Sequence, residues 1–267
     1  MPKRSDSKPR SPVSNPQLPV SKINNKQQPP LPTPHSPLPN LIGTRCESSL
    51  HRALKCTYAG RRTEKEVAGF VADGISAQGE FIEVQIGSFA PLKQKAPKFA
   101  QLGGLRIVYP VFIVKYIEVF DSNGKRAYRR KSPRRGSPWD LFDALVYAPE
   151  LPLIHGLAIE LVLLDASEQR IRDGKGSWRR KGVSIKDHQL LAVHERIRLE
   201  KLADYLRFIP FTRTEQFTSA SLAERAGIRR ELAQKTLYVV SRLGIIEKTG
   251  KERNALVYRI VKNTPFL

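Results

Sequence analysis

The chain is short of acids. Its 267 residues hold 25 Asp and Glu against 46 Lys and Arg, a formal net charge of +21 with a pI of about 10.2. That excess goes beyond what solubility asks for and points to a polyanionic partner, nucleic acid ahead of a membrane surface. Cysteine is scarce as well. Cys46 and Cys56 make neither a disulfide framework nor a zinc site. No apolar run approaches the ~20 residues that cross a bilayer. The basic N-terminus lacks the apolar stretch of a secretory signal. A cytoplasmic protein with no membrane partner is therefore the expectation. Hydrophobic residues make up 40% of the chain, enough to build the core of one or two domains.

Proline is unevenly spread: more than half of the 20 prolines fall within residues 1–40, among Ser, Asn, Gln and Lys. Such a segment buries too little apolar surface to offset its ordering entropy. Residues 1–40 read as a disordered basic tail, serving as a tether or as a phosphate-binding arm.

The stretch from Glu64 to Lys93 carries the chemistry. Apolar runs at Val67–Ala72 and Glu80–Ile86 flank a glycine-bearing turn, the pattern of a β-hairpin. A three-residue loop Ala77-Gln78-Gly79 would pair Ser76 with Glu80 and set Asp73 opposite Glu83. Two carboxylates so placed repel each other, and a divalent cation between their oxygens relieves the clash. Glu83, Val84 and Gln85 alternate in side, so Glu83 and Gln85 share a face. Upstream, Glu47, His51 and Lys55 recur at four-residue steps along an expected helix Glu47–Ala59, opposite the apolar stripe Leu50, Leu54, Tyr58.

Asp73 followed by Glu83-Val84-Gln85, in the order helix, strands, helix, strand, resembles the PD-(D/E)XK nuclease superfamily, with its restriction-endonuclease-like fold. The resemblance covers roughly residues 47–110. It implies an α/β mixed sheet flanked by helices. It also implies Mg2+ (or Mn2+) held by Asp73, Glu83 and the carbonyl of Val84, with Glu47 as a further carboxylate from the first helix. Gln85 stands where the superfamily most often has Lys, so Gln85 positions the water or the missing charge comes from Lys93 or Lys95. No small-molecule cofactor is implied.

Beyond this core the charge runs interleave with aromatics. A second hairpin is expected from strands Val111–Phe120 and Lys125–Lys131, after a short strand Leu105–Tyr109; Ser88–Gln101 reads as a basic helix. The block with Arg129, Arg130, Arg134 and Arg135 suits backbone phosphates. Pro138–Tyr147 reads as a helix packing Trp139, Leu141, Phe142 and Leu145 inward. In a later basic loop, Trp178 with Arg179 and Arg180 either stacks on a base or serves as a packing residue. Asp187–Arg207, with alternating charge, reads as a helix.

From Pro210 the character changes. SLAERAGIRRELAQKTLYVVSRLGIIEK, with a hairpin around Gly250–Asn254, follows the order helix, turn, helix, hairpin. This resembles bacterial winged-helix modules over residues 212–261, and the whole chain resembles a bacterial family pairing the two modules. The likeness implies that Arg229, Arg230, Gln234 and Lys235 face DNA while Lys251 and Arg253 grip phosphates. The other reading is a winged helix packed against its own nuclease-like domain or a partner protein. The expected organisation is a tail (1–40), a nuclease-like α/β domain (41–182), a helical connector (183–209) and a winged helix (210–267), with room for a homodimer. The expected activity is metal-dependent hydrolysis of DNA. The alternatives are a non-catalytic DNA-binding protein on a degenerate nuclease core, or an RNA-directed nuclease.

Overall fold

A mixed sheet of seven strands organises most of the chain. The computed structural model describes residues 47–60 and 63–261. The Pro-rich tail and Cys46 lie outside the described residues. Helix α1 (Ser49–Ala59) leads into an antiparallel meander of β1 (Thr63–Val67), β2 (Phe70–Ile75) and β3 (Phe81–Val84). Helix α2 (Ala96–Gly103) then carries the chain over to β4 (Leu105–Phe120), parallel to β3. Strand β5 (Arg126–Lys131) folds back on the far half of β4. Helix α3 (Leu141–Leu145) precedes β6 (Leu157–Arg172), parallel to β4, and β7 (Val183–Leu199) closes the sheet antiparallel to β6. The C-terminal unit follows as α4 (Ser219–Ala226), α5 (Arg230–Arg242) and a hairpin of β8 (Ile246–Glu252) and β9 (Ala255–Ile260).

Residue parity along the central strands explains the layers. Leu105, Ile107, Tyr109 and Val111 of β4, with Leu157, Ile159 and Leu161 of β6, join the core that also holds Phe99 of α2 and Phe142 of α3. The alternate residues Val108, Val162, Leu164 and Ala166 pack on Leu50 and Leu54 of α1. Strands buried on both faces read as continuous apolar runs. The first core continues through Tyr205 and Phe208 to Leu222, Leu237 and Val240, so sheet and C-terminal unit share one interior. Phe208 meets the Phe142 ring edge-on at 4.9 Å, and its carbonyl accepts from Trp139 Nε1 at 3.3 Å.

The hairpin before the site has the expected register. Ser76 N donates to Glu80 O at 2.8 Å, Gly79 sits at φ +89°, and Gly74 pairs with Ile82. Elsewhere the structure corrects the sequence reading. The helix expected over Asp187–Arg207, and with it the helical connector 183–209, is strand β7 followed by a 3-10 turn Leu202–Phe208. The β-branched Val183, Ile185, Val193 and Ile197 favour strand, the buried pair Ile197 and Leu199 is spaced by two, and β6 gains a partner on its far edge. The basic helix Ser88–Gln101 is broken into a 3-10 turn Ala90–Leu92 and α2, each with Pro in its first turn, because Pro is tolerated there and not in a helix interior. Leu105–Tyr109 and Val111–Phe120 are a single strand, β4, whose pairing to β6 shifts register between Phe112 and Val114. Among the described residues, no helix is long and apolar enough to cross a membrane.

Strand β1 has no counterpart in the sequence reading. It pairs with β2 through a two-residue turn in which Ala68 (φ +54°) and Gly69 (φ +76°) both lie in the left-handed region. That is the geometry for which Asn-Gly is preferred. Ala68 is exposed and pays the left-handed cost of a Cβ. Ala68→Asn is therefore expected to stabilise the fold by about 1 kcal/mol, read from the midpoint of urea unfolding; an unchanged or lower midpoint contradicts this account of the turn.

Candidate active site

The site forms where β2 and β3 part. Beyond the Gly74–Ile82 pair the ladder ends, and the amide of Val84 donates to Asp73 Oδ2 at 2.8 Å instead of to a strand carbonyl. Asp73 is turned toward α1. Its Oδ2 lies 3.4 Å from His51 Nε2, and its Oδ1 lies 3.8 Å from Lys55 Nζ. His51 Nε2 also reaches the carbonyl of Val84 at 2.9 Å, while its Nδ1 is held by Glu47. Lys55 Nζ sits 3.3 Å from Glu47.

Glu83 is turned the other way, toward the segment before α2. Lys95 Nζ lies 2.7 Å from its Oε2. The residue is only 1% exposed, and its Oε1 is buried with no hydrogen-bond partner. Among the described residues no other carboxylate oxygen is buried in this condition. Glu160 is held by Tyr58 and Arg106, and Glu168 by Lys115, Arg170 and His188. Burial opposes the charge on Glu168, but hydrogen bonds from His188 and Lys115 win and hold it well below the usual carboxylate range. Glu83 behaves in the opposite way. Burial and then the charge of Asp73 push it up to about 7, only partly offset by Lys95 and, least, by the Asp73 amide.

The cations answer the acids. Burial lowers His51, yet the hydrogen bond and charge of Asp73 and then those of Glu47 outweigh it, raising the imidazole to about 9. Lys55 is raised against burial by the charges of Asp73 and Glu47. Asp73 is lowered: burial opposes its charge, and His51, the Val84 amide and Lys55 overcome that.

Helix α1 is placed firmly enough to deliver these groups. Ser48 caps it, accepting from the His51 amide at 3.2 Å, and Asp187 of β7 accepts from the Ser49 amide at 2.8 Å and hydroxyl at 2.6 Å. A side-chain cap of this kind is worth about 1 kcal/mol. A cleft of about 350 Å³ opens just past Gln85, lined by residues including Ile86, Phe112, Lys115 and Arg134.

Of the expected site residues, Glu47, Asp73 and the Val84 carbonyl converge on His51, while Glu83 feels the charge of Asp73 but turns to Lys95 on the other side. Gln85 is half-buried, its amide donating to Val108 O at 2.9 Å; among the described residues no hydrogen bond links its side chain to Asp73 or Glu83. Lys93 is not at the site. It is exposed and lies toward Glu150, whose carboxyl it helps lower after Arg242; Lys95 takes the position instead. Pro91 and Pro97 break the expected helix, and the bend delivers Lys95 rather than Lys93. His51 and Lys55 share the four-residue stripe with Glu47, which is the signal by which they could have been found.

The basic residues divide. Arg130 and Arg135 are exposed; Arg129 lies over the Tyr116 ring at 4.2 Å and 3.2 Å from Glu118; Arg134 lies within 3.6 Å of Asp140 and Asp143. Arg230, Gln234, Lys251 and Arg253 are exposed on the C-terminal unit. Lys235 is not: its Nζ lies 2.6 Å from Asp143 of α3, with Arg229 at 3.8 Å from the same carboxyl. Arg242 pairs with Glu150 at 2.8 Å. Helix α5 is thus docked on the sheet unit, so Lys235 is already spent on an internal carboxylate. Trp178 does not pack; it is 83% exposed beside Arg179, with Arg180 close to the Val183 carbonyl, and the packing tryptophan is Trp139.

Fold and site together define an α/β protein with a mixed sheet flanked by helices and, at the strand fork, a buried Glu83 and a half-buried Asp73 each met by cations. Residues 48–200 match the family described as a domain of unknown function, DUF8091, and the chain belongs to that family. The match opens at the cap of α1 and closes just after β7, so it takes in the cluster apart from Glu47. An "Uncharacterized protein" of Treponema pallidum (strain Nichols) is 31% identical over 154 residues, 57% of this chain and 61% of that protein. The aligned region therefore spans less than two thirds of that relative's length. No solved structure matches.

The pKa directions set a pH dependence. Glu83 rises from an ordinary 4.5 to about 7, and His51 from 6.5 to about 9. Both bind a proton more tightly when folded, so each contributes stability that is full below its ordinary value and lost as pH climbs through its folded value. Without metal, the melting temperature is expected to fall from pH 4.5 to 7 through Glu83 and from 6.5 to 9 through His51. Glu83→Gln should flatten the lower window and His51→Gln the upper, by calorimetry in chelator. Profiles of both variants parallel to wild type would contradict the assignment.

Proposed function

We propose that the chain is a PD-(D/E)XK-like nuclease that hydrolyses phosphodiester bonds in DNA, with the C-terminal unit as a winged helix that helps hold the substrate. The single observation that carries this reading is the unpartnered, buried Oε1 of Glu83 beside an ionised Asp73. Leaving an anionic oxygen without a donor is expensive, and such a feature marks functional sites more often than structural ones. The element order α1, β1–β2–β3, α2, β4, with β4 parallel to β3, supports the same reading, since it is the order expected of that superfamily's core.

No group of three or more His, Cys, Asp or Glu side chains among the described residues is already arranged around a metal position. The donor types suit a hard cation, two carboxylates on adjacent strands and a carbonyl at the same fork, but of these only Glu83 Oε1 is unsatisfied, so Asp73 and the Val84 carbonyl would have to exchange His51 for the metal. Asp73, Glu83 and that carbonyl would hold Mg2+ or Mn2+, which when bound supplies an acidified water and charge stabilisation at the phosphate. The chain's own groups do the rest. Lys95 fixes one oxygen of Glu83 and would provide the positive charge that Gln85 lacks. Protonated His51 orients Asp73 and the Val84 carbonyl. Exposed Arg130 and Arg135 would take backbone phosphates away from the acid pair, since Arg130 pairs with Ile117 of β4 while Glu83 pairs with Ile107. On the C-terminal unit, with Lys235 and Arg229 turned to Asp143, DNA contact falls to Arg230, Gln234, Lys251 and Arg253.

Purified protein incubated with supercoiled plasmid, single-stranded DNA and RNA is expected to cut DNA with Mg2+ or Mn2+ and to stop in chelator. Asp73→Ala and Glu83→Ala should each lower the rate at least about 100-fold, and Lys95→Met by a comparable factor, as when a charge-stabilising group is removed from an active site. Lys93→Met should leave the rate unchanged. Binding without cleavage in every metal condition would replace this reading with a DNA-binding protein on a degenerate core. Preferential cutting of RNA would move the substrate to that polymer.

A further inference from the structure

The tip between β6 and β7 holds a large aromatic ring out into solvent on a built support. Trp178 is 83% exposed, yet its loop is closed by Gly176 N to Gly182 O at 3.1 Å, Arg180 N to Ser177 O at 2.9 Å and Lys181 N to Trp178 O at 3.0 Å. Asp173 Oδ1 accepts from the Lys175 amide at 3.0 Å and the Ser184 hydroxyl at 2.9 Å. A Cβ at Gly176 would lie 2.0 Å from the Val183 carbonyl oxygen, so the backbone crosses there with no space for a side chain. The exposed ring is therefore presented by an ordered turn. Arg179 lies over one side of it, 5.5 Å from the ring, which leaves one open face.

The surroundings say what that face suits. Residues 172–182 carry five basic side chains and one acid, and that acid, Asp173, already accepts two hydrogen bonds. Trp178 is the one bulky apolar side chain among them. A membrane-seated tip needs several apolar groups to gain from burial, whereas stacking on a nucleobase needs a single ring. Arg172 lies over the Tyr128 ring of β5 at 5.9 Å, so the basic tip runs on into the exposed basic strand. Bases inside a duplex already have both faces covered by their neighbours.

We infer that the β6–β7 tip binds single-stranded nucleic acid, with Trp178 stacking on one unpaired base through its open face while Arg179, Lys181 and Lys175 contact the flanking phosphates. This rests on the nucleic-acid side of the reading above and not on hydrolysis, so it is tested in chelator, where a failure of catalysis cannot be confused with a failure of stacking. The full chain is titrated with a labelled oligo(dT) and with a covalently closed duplex of the same length, following anisotropy and tryptophan emission. The oligo(dT) is expected to quench tryptophan emission in wild type and not in Trp178→Phe. Trp178→Ala should weaken oligo(dT) binding roughly ten-fold, the loss of about one stacked base. Trp178→Phe should stay close to wild type in affinity, and the closed duplex should be bound equally by all three. An unchanged oligo(dT) affinity in Trp178→Ala overturns the inference. So does an emission shift with phosphatidylglycerol vesicles but none with the oligonucleotide, which would make the tip a membrane contact.

Discussion

One hydrogen bond determines where chemistry can sit in this chain: the amide of Val84 turning from a strand partner to the carboxylate of Asp73. A strand amide normally finds a neighbouring carbonyl, and an unpaired one in the interior is costly. By taking that role, Asp73 lets β2 leave β3 one residue early. The fork that results exposes the Val84 carbonyl to His51 and leaves Glu83 facing the approach to α2. Without it the two strands would run on as a ladder, and the acids would be cross-strand neighbours that repel.

Around that fork the structure balances charge unevenly. Asp73 has a ring of donors that favour its ionised form, while Glu83 has one lysine, a small contribution from the Asp73 amide, and a neighbouring negative charge that opposes it. The two carboxyls are therefore chemically distinct, one held ionised and the other poised near neutrality. Glu160 and Glu168, equally buried, have every oxygen satisfied and serve to tie strands and helix together. The contrast sets the acid pair at the fork apart from the satisfied ion networks elsewhere in the same sheet.

Much of this was legible in the residues. Gly79 in a three-residue loop sets the hairpin register by turn geometry alone, and the register places Asp73 and Glu83. The stripe Glu47, His51, Lys55 follows from helical spacing. What escaped has physical reasons. Strand β7 alternates charges with a period that a surface helix also shows, and only the need of β6 for a partner decides between them. Strand β1 is polar and exposed, so its pairing is driven by its turn and its neighbour, and no apolar pattern marks it. The choice of Lys95 over Lys93 depends on a bend at two prolines, which sets direction on a scale that composition cannot resolve. The docking of α5 on Asp143 depends on which faces of two distant elements meet.

That docking has a mechanical outcome. Lys235 and Arg242 clamp α5 to Asp143 and Glu150 on the sheet unit, and Phe208, edge-on to Phe142, belongs to the core that the two units share. The hairpin β8–β9 rides on α5, so its tip stands at a constant offset from the acid pair. Any ligand that touched both places would have to bridge a span that the frame of the molecule sets.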